Sequence, residues 1–154
     1  MINEKANDTV EIGPSNYRGL ENDALWMEAK RLSCLEPSTG LKVIDVVREI
    51  ARRNLHLERG YSSLFTYLVK ELSYSEASAY RRVKALEVFK KCPEIESKVC
   101  EGQINLGQVS LLSFVSKAKL LAAATAIEKK STDETKKLLI QKFDVPAEKV
   151  NRRT

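Results

Sequence analysis

Apolar residues return at three- and four-residue steps along most of the chain after residue 19, which is the period of helices that bury one face. Leu20, Leu25, Trp26, Ala29 and Leu32 predict a first amphipathic helix that stops before Pro37-Ser38-Thr39-Gly40, with Trp26 as a core anchor. Val43, Ile44, Val46, Val47, Ile50, Ala51 and Leu55 predict a second, strongly apolar helix running from Leu41, with Gly60 as a stop after it. Its polar side carries Arg48, Arg52, Arg53 and Arg59. Leu64, Phe65, Leu68, Val69 and Leu72 form the apolar face of the next helix, and Ser73-Tyr74-Ser75 break the pattern. Ser75 is placed to cap a following helix by accepting from the N–H of Ala77 or Ser78, with Glu76 behind it complementing the positive helix end. Along that helix the spacing places Ala79, Val83 and Leu86 inward and Ser78, Arg81 and Arg82 outward.

The pattern continues to residue 143. Cys92-Pro93 opens a short helix through Ile95, Val99 and Cys100 that Gly102 closes. Asn105 caps another through Leu106, Val109, Leu111, Leu112 and Phe114. Leu120 to Ile127 is built of strong helix formers and is expected to be buried. Ser131-Thr132-Asp133-Glu134 reads as a capping box ahead of Leu138, Leu139 and Phe143. No alternating run of β-formers bounded by hairpin turns occurs. The expected class is therefore all-α, a compact multi-helix bundle that contains a helix-turn-helix. Residues 1–18 are expected to be a flexible lead, 19–143 the helical domain, and 144–154 a basic tail with nothing to bury.

Two short helices joined by a tight turn, the second studded with cations, is how a DNA-reading helix-turn-helix is written. Charge supports this. The 154 residues carry a net charge of +5, with about −3 over residues 1–36 and about +8 in the remainder, so the body favours polyanionic partners. On this reading Ser75 caps the recognition helix, and Ser78, Arg81 and Arg82 reach base edges, arginine being the natural bidentate reader of guanine. Lys84, Lys90, Lys91 and the Arg52-Arg53 pair hold phosphates and set register. Replacing Arg81 and Arg82 together is then expected to remove duplex binding without lowering thermal stability. The competing reading makes the helix pair a plain corner of the bundle, with its arginines solvated or paired to Glu76 and Glu87.

Other chemistry finds little to stand on. Cys34, Cys92 and Cys100 are widely spaced, with no C-x-x-C pair and only His56 to add a nitrogen ligand, so neither a zinc site nor any other cofactor is expected. Free thiols suit a reducing cytosol. His56 is expected to be a surface or hydrogen-bonded histidine with no catalytic part. No phosphate-binding glycine loop, dinucleotide fingerprint or H-E-x-x-H motif occurs. With no signal-like segment and no apolar run of about 20 residues, the expected location is the cytoplasm, on the nucleoid if the chain binds DNA.

The segment Leu57 to Leu112 contains G-Y-x-S-L-x-x-Y (Gly60, Tyr61, Ser63, Leu64, Tyr67) and L-x-Y-S-E-x-x-A-Y-R-R (Leu72, Tyr74, Ser75, Glu76, Ala79, Tyr80, Arg81, Arg82). Pro93 follows, then E-G-x-I-x-L (Glu101, Gly102, Ile104, Leu106). In that order and spacing it resembles the helical region upstream of the nuclease domain in many bacterial HNH endonucleases. A more diluted similarity covers Lys42 to His56 and Lys130 to Leu139. The middle part is also similar to the DNA-binding helices of ParB-type partition proteins, whose helix-turn-helix precedes a short E-G-x-L-x-x-G helix, here Glu101 to Gly107. Ser73 stands where such a turn usually has glycine, and Val69 where a small alanine lets the helices approach. An HNH site needs a base histidine, an orienting asparagine and metal ligands. With one histidine and an end at Thr154, no catalytic residue carries over. The resemblance implies a standalone or truncated accessory domain that binds double-stranded DNA and does not cut it. The alternative is a protein–protein interaction or dimerisation module with a regulatory role, supported by the Leu/Ala-rich stretch 120–127. A homodimer or a protein partner is compatible with either.

Overall fold

The computed structural model describes residues 14–33 and 40–152, which form ten α-helices and two 3-10 segments with no strand among the described residues. The all-α class expected from the periodicity is therefore met. No helix among the described residues is long and apolar enough to cross a membrane. The chain divides after Leu55 into two units, where the sequence suggested a single domain from 19 to 143.

The first unit holds a 3-10 segment (Pro14–Gly19), α1 (Asn22–Ser33) and α2 (Gly40–Arg52), with the 3-10 segment and α1 both packed on α2. Leu25, Trp26, Ala29 and Leu32 of α1 and Val43, Ile44, Val46, Val47 and Ile50 of α2 are buried, as the spacing required. Trp26 is a core residue. Tyr17 is buried as well, so the chain joins the fold from Pro14 instead of trailing as a free lead to residue 18. The rest of that expected lead, Cys34 and most of the Pro37 to Gly40 break lie outside the described residues.

A polar clasp closes this unit. Arg53, just past α2, donates from Nη1 to the Leu20 carbonyl at 2.7 Å and to Asn22 Oδ1 at 3.0 Å. From Nη2 it reaches the carbonyls of Arg18 (2.9 Å) and Tyr17 (3.2 Å). Its Nε donates to Glu49 Oε1 at 2.8 Å. Glu49 is itself buried and also takes a two-pronged bond from Arg52, at 2.9 and 2.5 Å. One guanidinium thus gathers the carbonyls of Tyr17, Arg18 and Leu20 at the end of the 3-10 segment. The Arg52 and Arg53 bonds hold the Glu49 carboxyl down at about 2.

Because that carboxyl ionises more easily folded than unfolded, its stabilisation is complete above the ordinary glutamate range and fades as pH falls from about 4.5 towards 2. We expect this unit to lose on the order of 2 kcal/mol across that window, a figure discounted for the exposed Arg52 partner. In Glu49→Gln that pH dependence should flatten in acid-unfolding curves followed by circular dichroism.

The second unit runs from His56 to Thr154. It contains α4 (Leu64–Lys70), α5 (Glu76–Lys91), α6 (Glu94–Cys100), α7 (Leu106–Leu112), α8 (Leu120–Ala126), α9 (Thr132–Lys142) and α10 (Ala147–Val150). The four-residue α3 (Leu55–Glu58) begins at the division. The long α5 is the spine: α4 and α6 pack on it, and its most extensive packing is with α7, which in turn meets α8 and α9. Ala79, Ala85 and Val88 of α5 have no exposure, nor do Ile95, Val109, Leu112, Ala123, Ile127 and Leu139 from its neighbours. Each large aliphatic side chain so buried is worth about 1.5–3 kcal/mol. Val145 and Val150 are buried too, so the segment expected to be a tail folds back as α10. Its last basic residue, Arg153, lies outside the described residues.

The helix boundaries follow local chemistry. Ser63, Ser75, Asn105 and Ser131 each cap a helix, the last two as full capping boxes with Gln108 and Glu134. Gly60 (φ +83°) and Gly102 (φ +73°) end α3 and α6 in the left-handed conformation, each followed by an N–H that reaches back five residues. His56 is buried with no hydrogen bond to Nδ1, unlike the surface or satisfied histidine expected.

Gln108 does more than cap. Its Oε1 accepts the Asn105 N–H at 3.0 Å, while Nε2 faces the carbonyls of Ile127 (2.9 Å) and Lys130 (3.0 Å) and Thr135 Oγ1 (3.0 Å). Buried at 2 % exposure, it ties α7 to the end of α8 and the start of α9. Gln108→Leu keeps the volume but removes all of these bonds at once, and should cost about 2–4 kcal/mol in urea unfolding of the whole chain. A loss under 0.5 kcal/mol would remove that role.

Candidate nucleic-acid interface

The α4–α5 pair is built by its motif residues. Tyr61 donates to Glu71 Oε2 at 2.7 Å and meets the buried Tyr67 edge-on at 5.7 Å, while Arg59 pairs with Glu71 Oε1 at 3.2 Å. Burial pushes the Tyr67 hydroxyl well above its ordinary value. Ser63 caps α4 by accepting from the Thr66 N–H at 3.1 Å. After α4, the Tyr74 N–H returns to the Leu68 carbonyl, and Ser73 sits at φ +58°. Serine does this job at a cost of about 1 kcal/mol that glycine would avoid, so the turn keeps the conformation glycine favours without the glycine. Val69 is only half-buried. Ser75 then accepts from the Ser78 N–H at 3.2 Å and starts α5 at Glu76, as the sequence indicated.

Along α5 the inward stripe is Ala79, Arg82, Ala85, Val88 and Phe89, one residue round from the expected Ala79, Val83 and Leu86. Arg82 is therefore not on the outer face: only 8 % of it is exposed. Its guanidinium carbon lies 4.1 Å from the centroid of the Tyr74 ring, and Nη1 donates to the Ser78 carbonyl at 3.1 Å. An arginine can occupy an inward position when its stem packs and its planar head finds an aromatic face, and Tyr74 in the preceding turn supplies one. Arg82 locks the turn to the helix and is removed from the set of base readers.

The other expected contact residues separate. Ser75 is committed to the cap through its hydroxyl, whereas Ser78 gives only its backbone, the N–H to Ser75 and the carbonyl to Arg82, so its side chain is in neither bond. Arg81 is exposed and makes no ion pair or hydrogen bond among the described residues. Lys84 pairs with Glu87 at 3.1 Å and lies 5.7 Å from the Tyr80 ring centroid. Lys90 and Lys91 are exposed in the last turn, where they complement the helix dipole. At 3.6 residues per turn Lys90 points roughly opposite to Arg81, whereas Lys84 and Lys91 share a flank of its side. Arg52 and Arg53 belong to the other unit, both engaged by Glu49, and Arg53 is spent on the clasp described above. As phosphate holders they are displaced by a structural task.

Arg81 opens onto a groove of about 500 Å³. Ala77 and Tyr80 of α5 line it together with Gly107, Ser110 and Leu111 of α7, and Phe114 just beyond. Thr132 and Lys136 of α9 also line it, as do Lys149 of α10 and Arg152. Lys149 sits 5.9 Å from the Phe114 ring centroid. The local pattern gives Tyr80 only as a motif position and Phe114 only as a helix-face position and does not mark Lys136, because only the packing of α5, α7 and α9 brings them to one surface.

Among the described residues no group of three or more His, Cys, Asp or Glu could hold a metal ion. Cys92 is buried, and burial, with Glu94 beside it, keeps its thiol above the ordinary range; Cys100 is exposed and free of disulfide. No protein-family model, curated protein or solved structure matches the chain.

The two adjacent arginines should therefore behave differently. Arg82→Ala loses the stack on Tyr74 and should lower stability by about 1–3 kcal/mol. Arg81→Ala should stay within about 0.5 kcal/mol of the parent. Thermal unfolding of the two single variants checks the contrast, and equal melting temperatures would refute it.

Proposed function

We propose that the chain binds double-stranded DNA through a helix-turn-helix made by α4 and α5, with the N-terminal half of α5 entering the major groove. The observation that carries this reading is Arg81. Tyr61, Ser63, Tyr67, Leu72, Tyr74, Ser75, Ala79 and Arg82 all serve the fold as caps, core or stacking partners. Arg81 has no such task, yet it stands beside Tyr80 on the exposed side of a helix held rigid by the capped turn and the Arg82 stack. A long cation kept in water at the start of a firmly positioned helix suits bidentate contact to guanine. Lys84 and Lys91, on the same flank, suit the phosphates.

The similarity to the helices upstream of HNH nucleases and to ParB-type readers fits the same role. With a single histidine in the chain, the function proposed is binding, as an accessory domain without cleavage of its own. The interaction-module alternative is weakened by the burial of Leu120, Ala123, Ala124 and Ile127, which spends the apolar side of the Leu/Ala-rich segment inside the fold and leaves Leu121 as its large exposed hydrophobic residue.

Fluorescence anisotropy with a pool of random duplex DNA at two salt concentrations is the direct test. Binding should weaken steeply with salt, and Arg81→Ala should reduce affinity for a selected site by about 1–3 kcal/mol, roughly 5- to 160-fold. Absence of binding by the parent at low salt, or unchanged affinity in Arg81→Ala, would overturn the proposal.

A further inference from the structure

Eight cations of the described residues are ion-paired in the structure. Arg31 is bonded to Glu28, Arg48 to Asp45, Arg52 and Arg53 to Glu49, Arg59 to Glu71, Lys84 to Glu87, Lys98 to Glu128 and Lys119 to Asp144. The groove beside α5 gathers four that are not. Arg81, Lys136, Lys149 and Arg152 surround it, and no carboxylate is among its lining residues. None of the four makes an ion pair among the described residues. Four like charges drawn to one concave surface repel one another and raise the local potential, and a depression focuses that field onto whatever anion enters.

The walls come from separate parts of the second unit. Arg81 is on α5 and Lys136 on α9, which meets α7, where Gln108 fastens it. Lys149 is on α10, anchored by the buried Val145 and Val150 and placed against the Phe114 ring. The fold thus spends a capping box, a buried amide and a returning C-terminal helix on bringing cations from distant sequence positions to face the outer side of α5. The part of the lining that α7 supplies, Gly107, Ser110 and Leu111, is uncharged.

We propose that this groove holds the phosphodiester backbone of the duplex whose bases α5 reads, with Lys136, Lys149 and Arg152 as the phosphate-holding residues. The inference rests on the DNA-binding reading and adds the partner's contact surface outside the helix-turn-helix. Phosphate contacts fix register and orientation without reading sequence, and each one released adds about 0.9 to the slope of affinity against salt on logarithmic axes. The groove lies beside Arg81, so a backbone held there sits next to the helix that enters the major groove.

The test compares three proteins: the parent, Lys136→Ala/Lys149→Ala/Arg152→Ala, and the control Lys117→Ala/Lys137→Ala/Lys142→Ala, which removes the same charge from outside the lining. The groove variant should bind random and selected duplexes equally more weakly, with a salt slope lower by about 2–3 and unchanged melting temperature. The control should keep a slope within about 1 of the parent. If the parent binds duplex DNA and Arg81→Ala weakens it, but the groove variant keeps the parental slope or the control loses as much, the groove assignment fails while DNA binding stands. If the parent binds no duplex, the DNA reading itself fails. Should ATP, used as a free phosphate-bearing probe, then bind the parent and not the groove variant, the groove takes a small phosphorylated ligand and the backbone assignment is overturned.

Discussion

The side-chain amide of Gln108 is the constraint on which the second unit turns. It serves the cap of its own helix through Oε1 and three distant acceptors through Nε2, so α7 cannot shift without breaking bonds at the end of α8 and the start of α9. A buried amide with every group engaged specifies one arrangement, since any slip leaves polar atoms dry and unpaired. α5, α7 and α9 all line the candidate groove and α5 packs on α7, so the bonds of Gln108 help fix how its lining is assembled.

Neighbouring arginines with the same chemistry have been given opposite work by the helix period. Arg82 falls on the buried stripe of α5, where Tyr74 accepts it; Arg81 falls one residue away and remains in water. The same division appears in the first unit, where Arg53 gathers carbonyls at the end of the 3-10 segment, and Arg52 shares the carboxylate of Glu49 with it. Cations that the sequence presents as a uniform basic surface are sorted into those that hold the fold and those that stay in water.

Much of the fold was legible because its signals are local. Ser75, Asn105 and Ser131 announce helix starts by the side-chain oxygens they offer, Gly102 announces an end by its tolerance of positive φ, and the apolar spacing through Val43 to Ile50 announces a buried face. The candidate site was legible only in part. Arg81 and the cap at Ser75 could be found from spacing, whereas the inward turn of Arg82 depended on a contact with Tyr74 across the bend. The folding back of Val145 and Val150, and with it the placement of Lys149 and Arg152, had no periodic signal long enough to show in a four-residue helix.

By itself, then, the sequence determined the all-α class, the helix starts and ends, and the presence of a cation-bearing helix after a capped turn, because each follows from residues within a few positions of one another. The tertiary structure decided which arginine of the pair faces out, that Arg52 and Arg53 serve a separate unit, and that Arg81, Lys136, Lys149 and Arg152 share one groove. Those outcomes are set by packing between helices far apart in sequence, where a rotation of one residue moves a side chain from solvent to core.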